Sequence, residues 1–158
     1  MTIHPTVTPT AGTSSKHWEA WFDGTAVPNP GRMGIGILLI APDGEHREIS
    51  TPLGKTGCNN EAELHALAAT LELAQRLGTQ QLYINSDSRF VVDCLTGLDS
   101  TEIEPLATLV AQIRQQMACF TAIVLRWLPR HRNTAADRLA RASLGLQEKF
   151  SHKKKRRR

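Results

Sequence analysis

The spacing of apolar and polar residues divides the first part of the chain into strand-like segments. Residues 18–23 alternate between apolar and polar side chains, which is the period-two pattern of a strand. A mostly apolar strand is predicted at residues 34–41, and a more polar one, suited to a sheet edge, at residues 45–51. Turns are predicted at residues 24–34 and 42–44, where glycine and proline are concentrated.

A helical period replaces this alternation at residues 60–77. Its apolar positions recur at i, i+3, i+4 and i+7, as Leu64, Leu67, Ala68 and Leu71. Either Asn59 or Asn60 is expected to cap the start of the helix, and Gly78 to end it.

The remaining elements alternate between strand and helix. They are a strand at 81–85, helices at 87–95 and 105–118, a strand at 120–128 and a helix at 133–144. Three strands joined by short turns predict an antiparallel meander, and strands separated by helices predict parallel pairing. We therefore expect an α/β fold with one mixed sheet.

Composition sets the class of protein and its domain organisation. A chain of 158 residues with 41% hydrophobic and 22% charged residues is typical of one globular domain, which we place at residues 17–146. The Thr/Pro/Ser-rich residues 1–16 are expected to be disordered. No apolar run has the length of a membrane span and no secretory signal is visible, so a cytoplasmic, monomeric protein is expected.

The cysteines predict neither a zinc site nor a disulfide framework. Cys58, Cys94 and Cys119 are odd in number, widely spaced and without a CxxC pair. They are interpreted as buried or half-buried thiols in a reducing compartment.

Positive charge is concentrated in a basic tail at residues 147–158. Its last six residues, Lys153 to Arg158, are all Lys or Arg, and without them the formal net charge of +4 becomes −2. Such a tail is an electrostatic handle for a polyanion, nucleic acid first. The alternative is a solvated tail without a specific partner.

Four carboxylates stand where an α/β fold brings side chains together. Asp23 and Asp87 end predicted strands, and Glu63 and Asp137 lie early in predicted helices. Carboxylates crowded into one crevice repel each other and need neutralisation, for which hard Mg²⁺ or Mn²⁺ is suited. Two such ions about 4 Å apart can clamp the attacking and leaving oxygens of a phosphodiester.

Each of these acids also has an ordinary structural interpretation. Asp23 before a glycine suits a turn, and Asp87 suits a helix cap. Asp137 suits a helix N-terminus, and Glu63 suits a capping box or an exposed helical turn. Spacing alone therefore does not select these four from fifteen acidic residues.

Local motifs around the four acids make the selection. They are Phe22-Asp23-Gly24-Thr25, with Asn29-Pro30-Gly31 and Gly34-Ile35-Gly36; Asn59-Asn60-Glu61-Ala62-Glu63-Leu64, with Ala66-Leu67; Asp87-Ser88, with Val91-Val92; and Leu128-Pro129-Arg130, with Asn133 and Ala136-Asp137-Arg138-Leu139-Ala140. In order and spacing this set resembles the ribonuclease H type 1 family.

The resemblance implies a ribonuclease H-like fold and an activity. The expected sheet has five strands in the order 3-2-1-4-5, with helices on both faces. The expected enzyme is an endoribonuclease that hydrolyses the RNA strand of RNA–DNA hybrids with two metal ions, leaving 5′-phosphate and 3′-hydroxyl ends. Degenerate binders of this fold should have lost an acid, whereas all four are kept here. Cleavage of double-stranded RNA or of RNA–DNA junctions stays open.

The resemblance also implies roles for individual residues. Asp23, Glu63, Asp87 and Asp137 would hold the metal ions. Asn29, Asn59 and Asn60 would contact the substrate near its 2′-hydroxyls, which polar side chains can read. Turn and cap formation is the other interpretation of these asparagines, and the two roles are compatible.

This chain departs from larger members of the family in three places. It lacks their basic helix after residue 98, so it resembles the compact form, and the tail would substitute for that helix. Arg89 follows the Asp-Ser pair in place of an uncharged polar residue, as a phosphate contact or as a solvated helix residue. Arg130 or His131 would assist proton transfer or product release. The tryptophans Trp18, Trp21 and Trp127 are interpreted as core residues.

Overall fold

The structure is a computed structural model that describes residues 17–146, so the expectations for residues 1–16 and 147–158 lie outside the described residues. Its strands and helices are, in chain order, β1 (Trp18–Val27), β2 (Gly31–Ile40), β3 (His46–Gly57), α1 (Asn59–Arg76), β4 (Gln81–Ser86), α2 (Arg89–Thr96), α3 (Glu104–Met117), β5 (Ala122–Trp127) and α4 (Thr134–Ser143). A 3-10 helix (Arg130–Arg132) lies between β5 and α4.

One five-stranded sheet in the order β3-β2-β1-β4-β5 carries the fold, which confirms the predicted order. The first three strands pair antiparallel, and β4 lies parallel to both β1 and β5. In the parallel pair of β1 and β4, Trp21 is opposite Asn85. Each of these residues lies two positions before an acid, so the register brings Asp23 and Asp87 to the same edge of the sheet.

Helices cover both faces of the sheet, as expected. The main core packs α1 and α3 against one face and includes Phe22, Leu71 and Ile113, which are fully buried. On the opposite face, a Cβ at Gly36 would meet the backbone of α4 at Ala136. Among the described helices, none is both long and apolar enough to cross a membrane.

The turn predicted at residues 24–34 is much shorter in the structure. Strand β1 continues to Val27 and β2 begins at Gly31, which leaves three residues for the connection. Glycine signals a close approach here and not a turn: a Cβ on Gly24 would collide with the α1 backbone at Ala62.

Strand and helix ends also differ from the sequence predictions. Strand β3 runs on to Gly57, through a proline that an edge strand tolerates. Helix α1 is capped by neither asparagine but by Cys58, whose Sγ accepts the Glu61 N–H at 3.4 Å. The cap of α2 is Ser88, whose Oγ accepts the Val91 N–H, so the capping interpretation of the preceding Asp87 is wrong.

Two expectations about burial are wrong. Trp127, placed in the core, is 38% exposed at the end of β5, whereas Trp18 does pack against the core. Cys119 is exposed, while Cys94 is buried and Cys58 is half-buried; all three are free thiols.

Candidate active site

Asp23 lies inside β1 and is almost fully buried, at 6% exposure. It pairs in register with Gly36 of the neighbouring strand. Because Gly36 carries no side chain, the backbone of α4 packs directly onto the sheet at that point. The glycine therefore brings α4, and Asp137 with it, towards the carboxylate of Asp23.

Glu63 is held at the site by the backbone of β1. It is 9% exposed, and its Oε2 accepts the N–H of Gly24 at 3.1 Å. This bond requires close contact between α1 and β1, and the missing side chain of Gly24 allows it. Glu63 therefore lies on the packed side of α1, and its interpretation as part of an exposed helical turn is wrong.

Asp87 follows β4 directly and is half-buried. Its Oδ2 accepts a hydrogen bond from Asn133 Nδ2 at 3.3 Å, and the same amide nitrogen donates to the backbone oxygen of Phe22 at 2.9 Å. Asn133 thus links Asp87 to β1 from the start of α4. The residue is buried, at 1% exposure, and its side chain makes no capping hydrogen bond to α4.

The carboxylates of Asp23, Glu63 and Asp87 form a close trio. One oxygen from each lies within 4.8 Å of the others. Asp137, in the first turn of α4, is outside this trio but lines the same pocket of about 310 Å³. The structure therefore brings all four sequence-predicted acids to one pocket.

Burial and mutual repulsion raise the pKa values of the trio. Desolvation, followed by the charges of Asp87 and Asp137, raises the pKa of Asp23 from 3.8 to about 7, although a hydrogen bond with Glu63 opposes the rise. Desolvation and the charge of Asp23 raise the pKa of Glu63 well above its usual value. The pKa of Asp87 is also raised by desolvation, against the lowering effects of Asn133 and Arg130.

These electrostatics fit a site for divalent cations. A bound divalent cation neutralises crowded carboxylates, so the protons that raised pKa values would otherwise retain are released when the cation binds. All donors in the trio are hard oxygen atoms, which favour Mg²⁺ or Mn²⁺ over zinc. The trio and Asp137 are the residues that could hold such ions.

Arg130 and His131 occupy the same 3-10 helix but stand differently towards the pocket. Arg130 lines the pocket, and its positive charge acts on Asp87. His131 is exposed and is not among the residues that line it.

The three asparagines take part in the fold at the rim of the pocket. Asn59 Oδ1 accepts the Ala26 N–H at 2.8 Å, and Asn29 Oδ1 accepts the Asn59 N–H at 3.1 Å. Asn59 and Asn60 line the pocket, whereas Asn29 lies in the β1–β2 turn. Side-chain oxygens make these bonds, and among the described residues no acceptor engages the amide N–H₂ groups of Asn29 and Asn59, so both groups are available as donors.

Sequence reasoning gave no role to Asn133 and misplaced Trp127. Asn133 is part of the fourth motif, but an asparagine directly before a helix looks like a cap, and the motif does not reveal that its side chain bonds to Asp87, 46 residues away. Trp127 is beside the site, since its Nε1 donates to the backbone oxygen of Asp87 at 3.2 Å. Arg89 stacks on the Trp127 ring, with its guanidinium carbon 3.8 Å from the ring centroid.

Comparison with known sequences agrees with this geometry. Residues 21–143 match the family described as reverse transcriptase-like. Ribonuclease HI of Halobacterium salinarum is 33% identical over 127 residues, which are 80% of this chain but only 63% of that protein. Ribonuclease H of Paracoccus denitrificans is 30% identical over 145 residues, which cover 79% of this chain and 90% of that protein.

Solved structures agree as well. RNase H1 from Halobacterium salinarum has a TM-score of 0.78 and 32% identity, covering 82% of this chain and 98% of that one. LC11-RNase H1, solved in complex with an RNA/DNA hybrid, has a TM-score of 0.74 and 27% identity, covering 81% and 96%. The resemblance inferred from the motifs is confirmed: the chain belongs to the reverse transcriptase-like family and, within it, to the ribonucleases H.

Proposed function

We propose that this protein is an endoribonuclease that hydrolyses the RNA strand of RNA–DNA hybrids with two divalent metal ions. Mg²⁺ is the expected ion, with Mn²⁺ as a substitute, and Asp23, Glu63, Asp87 and Asp137 are the proposed ligands. The products would carry 5′-phosphate and 3′-hydroxyl ends.

The observation that carries this proposal is the carboxylate trio, with oxygens within 4.8 Å of one another at one edge of the sheet. Asp137 completes the set at the same pocket. A merely structural role does not explain why three buried or half-buried acids face each other against their mutual repulsion. The RNA/DNA hybrid bound by LC11-RNase H1 supports the choice of substrate.

The residues of the chain would divide the work at this pocket. Bound Mg²⁺ would supply Lewis-acid stabilisation of the scissile phosphate and a water of lowered pKa. Glu63, fixed by the Gly24 N–H, and Asp87, fixed by Asn133, would keep the ligand oxygens in place. Arg130 would contact the negatively charged phosphate from the rim of the pocket. We favour Arg130 over His131 for this role because Arg130 lines the pocket and His131 does not.

Asn29, Asn59 and Asn60 would contact the substrate from the rim formed by the β1–β2 turn and the start of α1. Their side-chain donors suit the 2′-hydroxyl, which is the group that separates RNA from DNA. The Ala26 N–H fixes the side chain of Asn59 by donating to its Oδ1, and the Asn59 backbone N–H fixes the side chain of Asn29 in the same way, so both side chains are held before the substrate arrives.

A labelled substrate panel tests the proposal. Hybrid, RNA duplex and DNA duplex of one sequence would be incubated with Mg²⁺ or Mn²⁺, and the product ends mapped. We expect cleavage of the RNA strand of the hybrid and none of DNA. Asp23→Asn should abolish cleavage while circular dichroism stays unchanged, and unchanged cleavage by this variant would refute the site assignment.

The same panel separates the rival functions. Binding of the hybrid without cleavage in either metal would favour a non-catalytic binder, and cleavage of the RNA duplex would widen the substrate class. We further propose a cytoplasmic monomer. The three free thiols support a reducing compartment, and sedimentation would measure the oligomeric state.

A further inference from the structure

The stacked pair of Arg89 and Trp127 lies beside the carboxylate pocket and is not explained by the fold. Arg89 begins α2 directly after the Asp87-Ser88 pair, and its guanidinium covers the Trp127 ring at 3.8 Å. Trp127 is the last residue of β5 and pairs with Ser86 at the end of β4. Both residues therefore flank the turn that carries Asp87.

Two contacts fix the side chain of Trp127, one at the indole N–H and one at the ring face. Its Nε1–H donates to the backbone oxygen of Asp87, and its face receives the cation. A large aromatic side chain that keeps 38% of its surface exposed gains less from burial than a core residue.

Stacking leaves the hydrogen-bonding edge of Arg89 free. A guanidinium that lies with its face on a ring still directs its N–H donors outward in the plane, which is the geometry that matches a phosphate. Within residues 17–146 the Arg89 guanidinium makes no hydrogen bond and no ion pair. Arg130 lines the carboxylate pocket, whereas Arg89 is not among the residues that line it.

We propose that Trp127 is a positioning residue that holds Arg89 as a fixed donor to one backbone phosphate of the nucleic-acid substrate, next to the scissile site. This inference rests on the proposed function and adds to it a phosphate contact by Arg89 and the way in which that contact is fixed. Direct stacking of a base on Trp127 is the competing arrangement, and it would require Arg89 to leave the ring. The two differ in which residue carries the binding and in its dependence on salt.

The test measures affinity for an RNA–DNA hybrid in Mg²⁺ across a range of salt concentrations, with Asp23→Asn present in every chain so that no turnover occurs. Arg89→Ala should weaken binding about tenfold and reduce the magnitude of the salt slope by about 1, because one phosphate is no longer neutralised. Arg76→Ala is the matched control: within residues 17–146 this arginine pairs only with Glu72, on the exposed side of α1, so affinity and slope should stay unchanged.

Trp127→Ala should weaken binding several-fold in the chain that keeps Arg89 and less than about twofold in the Arg89→Ala background. Such non-additivity is the signature of two residues that act as one unit. If Trp127→Ala does not fold, Trp127→Phe takes its place, since it shrinks the ring and removes the bond to Asp87. Additive losses, or a Trp127 effect that persists fully without Arg89, would overturn the proposal in favour of base stacking.

Steady-state kinetics of the chains that retain Asp23 provide a further test. A purely structural role of Arg89 and Trp127 would not raise KM selectively over kcat. Arg89→Ala and Trp127→Ala should raise KM by similar factors with a smaller effect on kcat, and high salt should reduce the difference from the parent chain. An unchanged KM in Arg89→Ala would overturn the inference. Absence of cleavage in the parent chain would overturn the proposed function alone, because the affinity measurements need no turnover.

Discussion

Burial and charge act together on Asp23. Its pKa is raised from 3.8 to about 7, first by desolvation and then by Asp87 and Asp137. Because the pKa in the folded chain is the higher one, the folded state binds more protons than the unfolded state between these values. The stability that protonated Asp23 contributes is therefore complete below about pH 4 and is lost as the pH rises through 7.

We expect the free energy of unfolding of the metal-free protein to fall by up to a few kcal/mol between about pH 5 and pH 8, at about 1.4 kcal/mol per pKa unit. Asp23→Asn should remove much of this fall, because the amide is uncharged at both pH values. Urea denaturation with a chelator present measures both profiles. Saturating Mg²⁺ should flatten the profile of the unsubstituted chain, and identical profiles for the two metal-free proteins would contradict this electrostatic account.

Asn133 is the residue that most directly fixes Asp87. Asn133→Ala removes bonds to Asp87 and to the buried Phe22 oxygen, so it should lower the free energy of unfolding by about 1–3 kcal/mol. Because Asp87 loses its orienting donor, more Mg²⁺ should be needed for half-maximal cleavage. Thermal denaturation and a Mg²⁺ titration measure these effects. Thr134→Ala, at the exposed neighbouring position, should change neither; a normal Mg²⁺ requirement in Asn133→Ala would exclude a positioning role.

The sequence identified the four acids because local motifs surround each of them. It did not identify the role of Asn133 or the exposure of Trp127, because these depend on partners 40 or more residues away. A cap and a core residue are the common roles of asparagine before a helix and of tryptophan in a strand, and tertiary contacts override both here.

At the scale of elements, the helices were predicted to within about two residues, whereas the first hairpin was not. Apolar periodicity over several turns is an averaged signal, so single residues hardly change it. Glycine is ambiguous, because it permits a turn and equally permits a helix to approach a strand. Gly24 and Gly36 serve the second purpose, on opposite faces of β1 and β2.

Gly36→Ala tests this second role. Its Cβ would collide with the α4 backbone at Ala136 and Ala140, and we expect a loss of about 1–3 kcal/mol from overpacking. Displacement of α4 moves Asp137 away from Asp23, so kcat should fall as well. Denaturant unfolding measures the loss of stability, and cleavage of the hybrid measures the fall in kcat. Gly44→Ala is the control: an alanine at its φ of +90° costs about 1–2 kcal/mol, but no atom of residues 17–146 lies within 4 Å of the added Cβ, so activity should persist. Full activity of a destabilised Gly36→Ala would contradict the link to α4.

At the scale of the whole molecule, charge is divided between a body and a tail. The chain carries a formal charge of +4, but without Lys153 to Arg158 the remainder carries −2. An acidic body gains little long-range attraction to a polyanion, and its own carboxylates oppose substrate approach until metal ions neutralise them. Efficient capture of a hybrid therefore requires cations placed elsewhere.

Deletion of residues 153–158 should weaken hybrid binding by about ten- to a hundredfold at low salt, because up to six cations no longer release counterions from the substrate. The magnitude of the salt slope should fall by about 0.7–0.9 for each phosphate that the tail no longer neutralises. By contrast, kcat should stay within about twofold, since the carboxylate trio and Asn133 are all in the body. Affinity against salt and kcat at saturating hybrid measure these effects.

Replacing the six cations with six serines controls for chain length and should match the deletion. An unchanged salt slope would show that the tail is only solvated. Loss of nearly all binding, in a protein that also fails to cleave, would instead mean that the tail alone holds the nucleic acid.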